Sequence, residues 1–281
     1  MDTISILGCG WLGLPLGVYL VKQGYRVKGS TTKPDKSKLI KEKGIEPYLI
    51  VLNPEIHGEN YHEFLNCDLL IIDFPPERRA DIIEYHQRQI KSLISAIRSG
   101  TVKHVIFTSS TSVYPDVNGE VFEDPEPKPT KLSGRALLRV ENLLRESHKF
   151  ETAVIRFGGL IGYDRMPGRF LAGKKDLASG DAPVNLIHRD DCIQIIYKII
   201  RTNIWGETFN ACADFHPTRK QYYTQQAELI GLTPPAFNES EIGNYKIVSN
   251  KKLKKMLNYK FKYPDPAKII QSRDLLTRRE I

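Results

Sequence analysis

Long apolar runs are missing from this chain. No stretch approaches the roughly 18 uninterrupted apolar residues of a membrane-spanning helix, which excludes that class. The apolar opening is no secretory leader either. Asp2 stands where a basic start is expected, and Gly8, Gly10 and Gly13 interrupt the run. Cysteine is scarce: Cys9, Cys67, Cys192 and Cys212, none in a C-x-x-C pair. That spacing speaks against a zinc knuckle, a redox pair or a disulfide framework, and for reduced thiols in a cytoplasmic setting. His57 and His62 have no matching ligand set, so no metal is expected. There is no internal repeat and no low-complexity tract.

What is present is ordinary globular chemistry. Over 281 residues, 41% are hydrophobic and 26% charged, enough to bury a sizeable core. Apolar runs alternate with helical patterns. Strands are expected at 3–7, 25–30, 48–52, 68–74, 103–108 and 152–157. Helices are expected at 12–22, 34–42, 77–98 and 130–148. That alternation predicts an α/β, doubly wound Rossmann-type parallel sheet over 1–158, with both faces covered. Beyond 158 the rhythm loosens, and residues 159–281 read as a smaller C-terminal substrate lobe. Helices are expected there at 191–201, 218–231 and 250–257, and a strand at 208–211 returns to the sheet. Asp190-Asp191 is placed at a helix N-cap.

Gly8-Cys9-Gly10-Trp11-Leu12-Gly13 follows the first strand and opens the first helix, the context that a dinucleotide-binding G-x-G-x-x-G requires. Gly8 permits the tight turn and Gly10 leaves room for a pyrophosphate. Gly13 lets helix and strand pack closely, while the backbone at Trp11, Leu12 and Gly13 offers N–H groups. An NAD-selective site usually carries an acid at the end of the second strand. This chain instead has Gly29-Ser30-Thr31-Thr32-Lys33, in which Thr31, Thr32 and Lys33 together suit a 2′-phosphate. The expected cofactor is NADP(H); Asp35, if brought to the ribose, would favour NAD instead. Phe74 and Pro75, where the fourth strand stops, complete the expected cofactor contacts.

Further ordered motifs extend the pattern. They are Thr108-Ser109-Ser110-Thr111-Ser112-Val113-Tyr114, Arg156-Phe157-Gly158-Gly159-Leu160-Ile161-Gly162, Asn185-Leu186-Ile187-His188-Arg189-Asp190-Asp191 and Gly206-Glu207-Thr208-Phe209-Asn210. With the glycine turn, they make the chain resemble the extended short-chain dehydrogenase/reductases, the NAD-dependent epimerase/dehydratase family, over most of its length. The resemblance implies a Ser or Thr after the fifth strand that orients a reacting oxygen, and Ser110 matches it. It also implies a Tyr-x-x-x-Lys on the next helix. Counting back from Glu141, Ser133 and Leu137 stand at those positions. A serine hydroxyl has too high a pKa for proton transfer near neutrality, and Leu137 cannot lower it. Tyr114 is the first candidate for the proton, with Tyr163 and His188 behind it.

Three readings stay open on sequence. The first is an NADP(H)-dependent oxidoreductase or epimerase-like enzyme acting on a small polar or nucleotide-sugar substrate held between the sheet edge and the smaller lobe. The second is a non-catalytic NADP(H) sensor, which the missing Tyr and Lys favour. The third, a nucleic-acid binder, rests on the net charge of +8 and on the lysines at 251–255, and a solvated helix face accounts for those as well. No membrane partner is expected, and homo-oligomerisation is left open.

Overall fold

The structure is a computed structural model that describes residues 1–97, 100–238 and 243–269. Seven strands form one sheet: β1 (Thr3–Leu7), β2 (Arg26–Thr31), β3 (Glu46–Leu49), β4 (Leu69–Ile72), β5 (His104–Ser110), β6 (Glu151–Phe157) and β7 (Thr208–Ala211). Their order is β7-β6-β5-β4-β1-β2-β3, and the pairs β3–β2, β2–β1, β1–β4 and β4–β5 are parallel. This is the α/β fold expected from the alternation of strands and helices. All four residues of β4 are 0% exposed, as a strand with neighbours on both edges and helices on both faces should be.

The helices are α1 (Gly13–Lys22), α2 (Asp35–Glu42), α3 (Ile82–Ile97), α4 (Leu132–Arg145), α5 (Arg189–Thr202), α6 (Arg219–Leu229) and α7 (Lys251–Leu257). Pro15 sits in the first turn of α1, where its missing N–H leaves no bond unmade. α3 buries Ile82, Tyr85, His86, Gln89, Ile90, Leu93 and Ile97, a stripe at three- and four-residue spacing that packs on α4. It starts at Ile82 rather than at 77, after the two prolines that end β4; Arg98, its expected last residue, lies outside the described residues. The third expected strand divides at Ile50: Val51–Leu52 turns away to pair antiparallel with Ile56–His57.

The chain divides into two interleaved compact units, where the sequence reading put a single boundary at 158. The first holds Met1–Val113, Pro127–Arg156 and Ile195–Phe209; the second holds Tyr114–Glu126, Phe157–Gln194 and Asn210–Ile281. The second unit contains two short parallel pairs that no periodicity announced, 119–121 with 246–248 and 159–161 with 186–188. Ile161, Val184, Leu186 and Tyr222 form a core cluster there. α6 opens on a reciprocal cap in which Thr218 accepts from Gln221 N–H and the Gln221 side chain accepts from Thr218 N–H.

Inside the first unit, a carboxylate is fully buried. Glu141 of α4 is 0% exposed and Arg156 of β6 is 1% exposed. The guanidinium donates through Nε and Nη2, the latter at 2.7 Å, and Ser109 Oγ donates to Glu141 Oε1 at 2.6 Å. Removing one member strands the other charge in a dry interior. Arg156→Met is therefore expected to lower unfolding free energy by about 3–5 kcal/mol, read as a fall in the urea midpoint. A loss under ~1 kcal/mol would show that Glu141 does not depend on its partner.

Candidate functional site

The glycine turn is held by backbone packing. Gly8 has φ +111°, and a Cβ on it would stand 2.3 Å from the Asp73 carbonyl oxygen. A Cβ on Gly13 would stand 2.2 Å from the Gly8 carbonyl oxygen, whereas one on Gly10 would meet nothing within 4 Å. Two of the three glycines therefore let β1, α1 and the end of β4 close together, and the third leaves space above the turn. Ser30 fixes the turn from β2. Its hydroxyl accepts from Gly8 N–H at 2.9 Å and its carbonyl accepts from Cys9 N–H at 2.8 Å. Ser30, the residue before the Thr31–Lys33 stretch assigned to the 2′-phosphate, is thus engaged by the turn.

A cavity of about 380 Å³ opens over this turn, wholly within the first unit. Gly8, Gly10, Thr31, Thr32, Lys33, Phe74 and Pro75 all line it. Trp11, Leu12 and Gly13 form the turn into α1, with Leu12 and Gly13 buried beneath the surface. Thr31 is 8% exposed, and its hydroxyl accepts from Lys33 N–H at 3.1 Å, so it shapes the loop that presents Thr32 and Lys33. Asp35 is the first residue of α2 and does not line the cavity. The carboxylates that do, Asp73 and Glu77, both follow β4. Asp73 accepts from the Thr108 hydroxyl at 2.9 Å.

Among the lining groups that sequence reasoning did not name as cofactor contacts are Lys36, Gln89 and Cys9. Lys36 lies in the first turn of α2, on the cation-bearing segment that follows Lys33. Gln89 of α3 is 3% exposed; it donates to Leu52 O at 2.8 Å and stands 3.0 Å from His86 Nδ1. Cys9 lines the cavity too, but burial, reinforced by the Asp73 charge, pushes its thiol up to about 12, so it is no nucleophile.

The expected catalytic residues fall in different units. Ser110 ends β5 in the first unit, and its hydroxyl accepts from Ser112 N–H at 3.1 Å. Tyr114 opens the second unit; it is 4% exposed and donates to Asn210 Oδ1 at 2.8 Å. On α4, Ser133 lies in the first turn, one residue before Gly134, whose absent Cβ would stand 2.3 Å from Ser112 O. Leu137, one turn further, is 5% exposed. Tyr163 donates to Asp190 at 2.7 Å; burial and then that bond raise its phenol above the ordinary range. Burial lowers His188 to about 4, so it is neutral near pH 7. Neither is suited to give up a proton there.

Asp190 and Asp191 stand in the first turn of α5, which begins at Arg189, and not at the expected N-cap. Their carboxylates are taken by a distant segment. Asp191 accepts from Tyr259 Oη and from the N–H groups of Lys262 and Tyr263, and Asp190 accepts from Lys262 Nζ at 2.9 Å. In the basic segment, Lys251 pairs with Glu120 and Lys254 with Asp214, so part of its charge is already matched by acids of the same unit.

A sheet of this order with a glycine turn after β1 defines a doubly wound, Rossmann-type α/β protein. Within that class the chain belongs to the family of protein YeeZ of Escherichia coli K12. The two are 35% identical over 269 residues, covering 95% of this chain and 98% of that protein. No family model matches the chain. Solved structures agree on the fold. UDP-glucuronic acid 4-epimerase from Bacillus cereus, in complex with NAD, superposes with a TM-score of 0.80 at 17% identity, over 98% of this chain and 96% of that one. MoeE5 in complex with UDP-glucose and NAD gives 0.77 at 18%, over 99% of both chains. A short-chain dehydrogenase/reductase superfamily protein from Agrobacterium tumefaciens with bound NAD gives 0.76 at 20%, over 95% and 94%.

The three glycines make separate predictions. Gly8→Ala and Gly13→Ala drive a methyl into backbone oxygen and should each cost about 1–3 kcal/mol of stability. Gly10→Ala should melt within a degree or so of wild type. Equal losses at all three positions, measured calorimetrically, would contradict the packing described.

Proposed function

We propose that this protein is an NADP(H)-dependent oxidoreductase or epimerase-like enzyme acting on a small polar or nucleotide-sugar substrate. The observation that carries the reading is the open space at Gly10 above a turn whose other glycines are packed shut. A pyrophosphate lying there would meet the N–H groups that open α1. The residues fit the group: Gly8, Gly10, Trp11, Leu12 and Gly13 would hold the pyrophosphate, Thr31, Thr32 and Lys33 the 2′-phosphate end, and Phe74 and Pro75 the apolar wall. When bound, the nicotinamide supplies a hydride donor or acceptor. Relatives of this fold bind NAD, and some also carry or act on UDP-sugars. We assign the phosphorylated cofactor to this chain because Thr31, Thr32, Lys33 and Lys36, which line the cavity from the end of β2 onward, are hydroxyls and cations, and the lining carboxylates follow β4.

Ser110 is assigned the orientation of the reacting oxygen and Tyr114 the proton. A phenol suits that task because it carries an exchangeable proton on a rigid ring. A second reading, a non-catalytic NADP(H) sensor, is favoured by α4, which offers a serine hydroxyl at 133 and a buried leucine at 137.

Three experiments test this reading. NADPH should raise the melting temperature of wild type and not of Gly10→Val, because only a ligand of the folded state stabilises it. In calorimetric titration, Thr32→Ala with Lys33→Ala should weaken NADPH and spare NADH, each lost charge-assisted bond costing about 1.5–3 kcal/mol. A wild type that prefers NADH would overturn the assignment of Thr31 to Lys33. With a panel of sugar-nucleotide and carbonyl substrates followed by NADPH absorbance, Tyr114→Phe should slow turnover by about 10²–10⁴-fold, and Ser133→Ala should leave it largely intact. A wild type that binds NADPH tightly and turns nothing over supports the sensor.

A further inference from the structure

The second unit contains a polar group that its surroundings leave half used. Asn210 of β7 is 0% exposed. Its backbone N–H donates to Glu123 Oε1 at 2.8 Å, and its Oδ1 accepts the Tyr114 phenol at 2.8 Å. Its Nδ2 is buried and has no hydrogen-bond partner among the described residues. A buried amide N–H without an acceptor costs about 1–3 kcal/mol, so retaining one beside a tyrosine hydroxyl calls for a reason.

We propose that Asn210 is a positioning residue that serves both protonation states of Tyr114. The neutral phenol donates to Oδ1. When the phenol loses its proton, the carboxamide turns over about its terminal torsion and Nδ2 donates to the phenolate. One hydrogen bond to Tyr114 is kept in each state, and the rotation breaks no other side-chain bond because Nδ2 holds none. Stabilising the ionised form lowers the phenol's pKa, the work that the lysine of a Tyr-x-x-x-Lys pair performs by charge. A carboxamide does so without placing a second cation in the interior.

The charged and titratable groups facing this pair come from several segments. Glu123 follows the 119–121 strand and accepts from Asn210 N–H. Lys246 donates to the Tyr114 carbonyl at 2.9 Å and to Asp116 at 2.7 Å. Cys212, two residues along from Asn210, is a fully buried thiol held protonated by burial. Glu123 places negative charge beside Asn210 and opposes phenolate formation, while the Lys246 ammonium is held by Asp116 and the Tyr114 carbonyl, so the donor to the phenolate falls to Asn210.

The proposal rests on the assignment of the proton to Tyr114, and its test separates the two. The full chain, labelled with ¹³Cζ-tyrosine and ¹⁵N-asparagine, is titrated by NMR, with Tyr114 identified by Tyr114→Phe and Asn210 by Asn210→Asp. The Asn210 side-chain amide should shift with the same midpoint as Tyr114 Cζ. Asn210→Asp, which can only accept, should raise that midpoint by at least about one unit, a tenfold change in the ionised fraction. An amide signal that stays flat through the Tyr114 midpoint overturns the proposal, as does a Tyr114 that remains protonated to about pH 11. If Asn210→Asp does not fold, the wild-type co-titration decides alone. Unchanged turnover in Tyr114→Phe would overturn the role given to Tyr114 while the co-titration still reports on Asn210. A flat amide with impaired Tyr114→Phe would remove only Asn210.

Discussion

The backbone-on-backbone contact of Gly8 with Asp73, and of Gly13 with Gly8, is the constraint on which the cavity over the glycine turn depends. No side chain fits in either gap. Because both gaps are closed, β1 runs directly into α1 and the end of β4 lies against the turn, so the helix's opening N–H groups lie beneath the space at Gly10. Ser30 adds the third tie, from β2. Strand order places β1 between β4 and β2, so the strands that fix the turn are also those whose ends carry the lining residues. This is the usual relation between a doubly wound sheet and its ligand, in which the site lies beyond the carboxyl ends of the central strands.

Under the proposed function, affinity and proton chemistry fall to separate parts of this chain. The cofactor cavity is made within the first unit and owes nothing to a Tyr-x-x-x-Lys helix. At the corresponding positions, α4 spends its residues on packing: Gly134 touches Ser112 O, Leu137 enters the core and Glu141 is locked to Arg156 and Ser109. A helix so committed keeps its place in the fold without a tyrosine or lysine at 133 and 137. Tyr114 and Asn210, by contrast, belong to the second unit, where the phenol is buried and donates to the Asn210 carboxamide.

Much of this was legible in the residues themselves. The glycine turn, β1 at Thr3–Leu7, β7 at Thr208–Ala211 and the central place of the wholly apolar β4 all follow from short-range patterns, which periodicity and glycine placement report directly. The interleaving of the two units was not legible, because a three-residue strand such as 119–121 finds its partner at 246–248 and carries no period of its own. For the same reason Asp190 and Asp191 looked like caps: nothing local shows that Tyr259, Lys262 and Tyr263 take their oxygens. Asn210 was visible only as part of a motif. Its meaning comes from a contact with Tyr114 across 96 positions, which no window of sequence contains.

The central claim is that a dinucleotide phosphate lies on the Gly8–Gly13 turn. Its most direct test is to follow backbone amides of the ¹⁵N-labelled protein as NADP⁺ is added. The account predicts saturable shifts concentrated at Gly10, Trp11 and Leu12 and in the Thr31–Lys33 loop, with the interior of α4 unmoved. Shifts that cluster elsewhere and leave the glycine turn unchanged would contradict it.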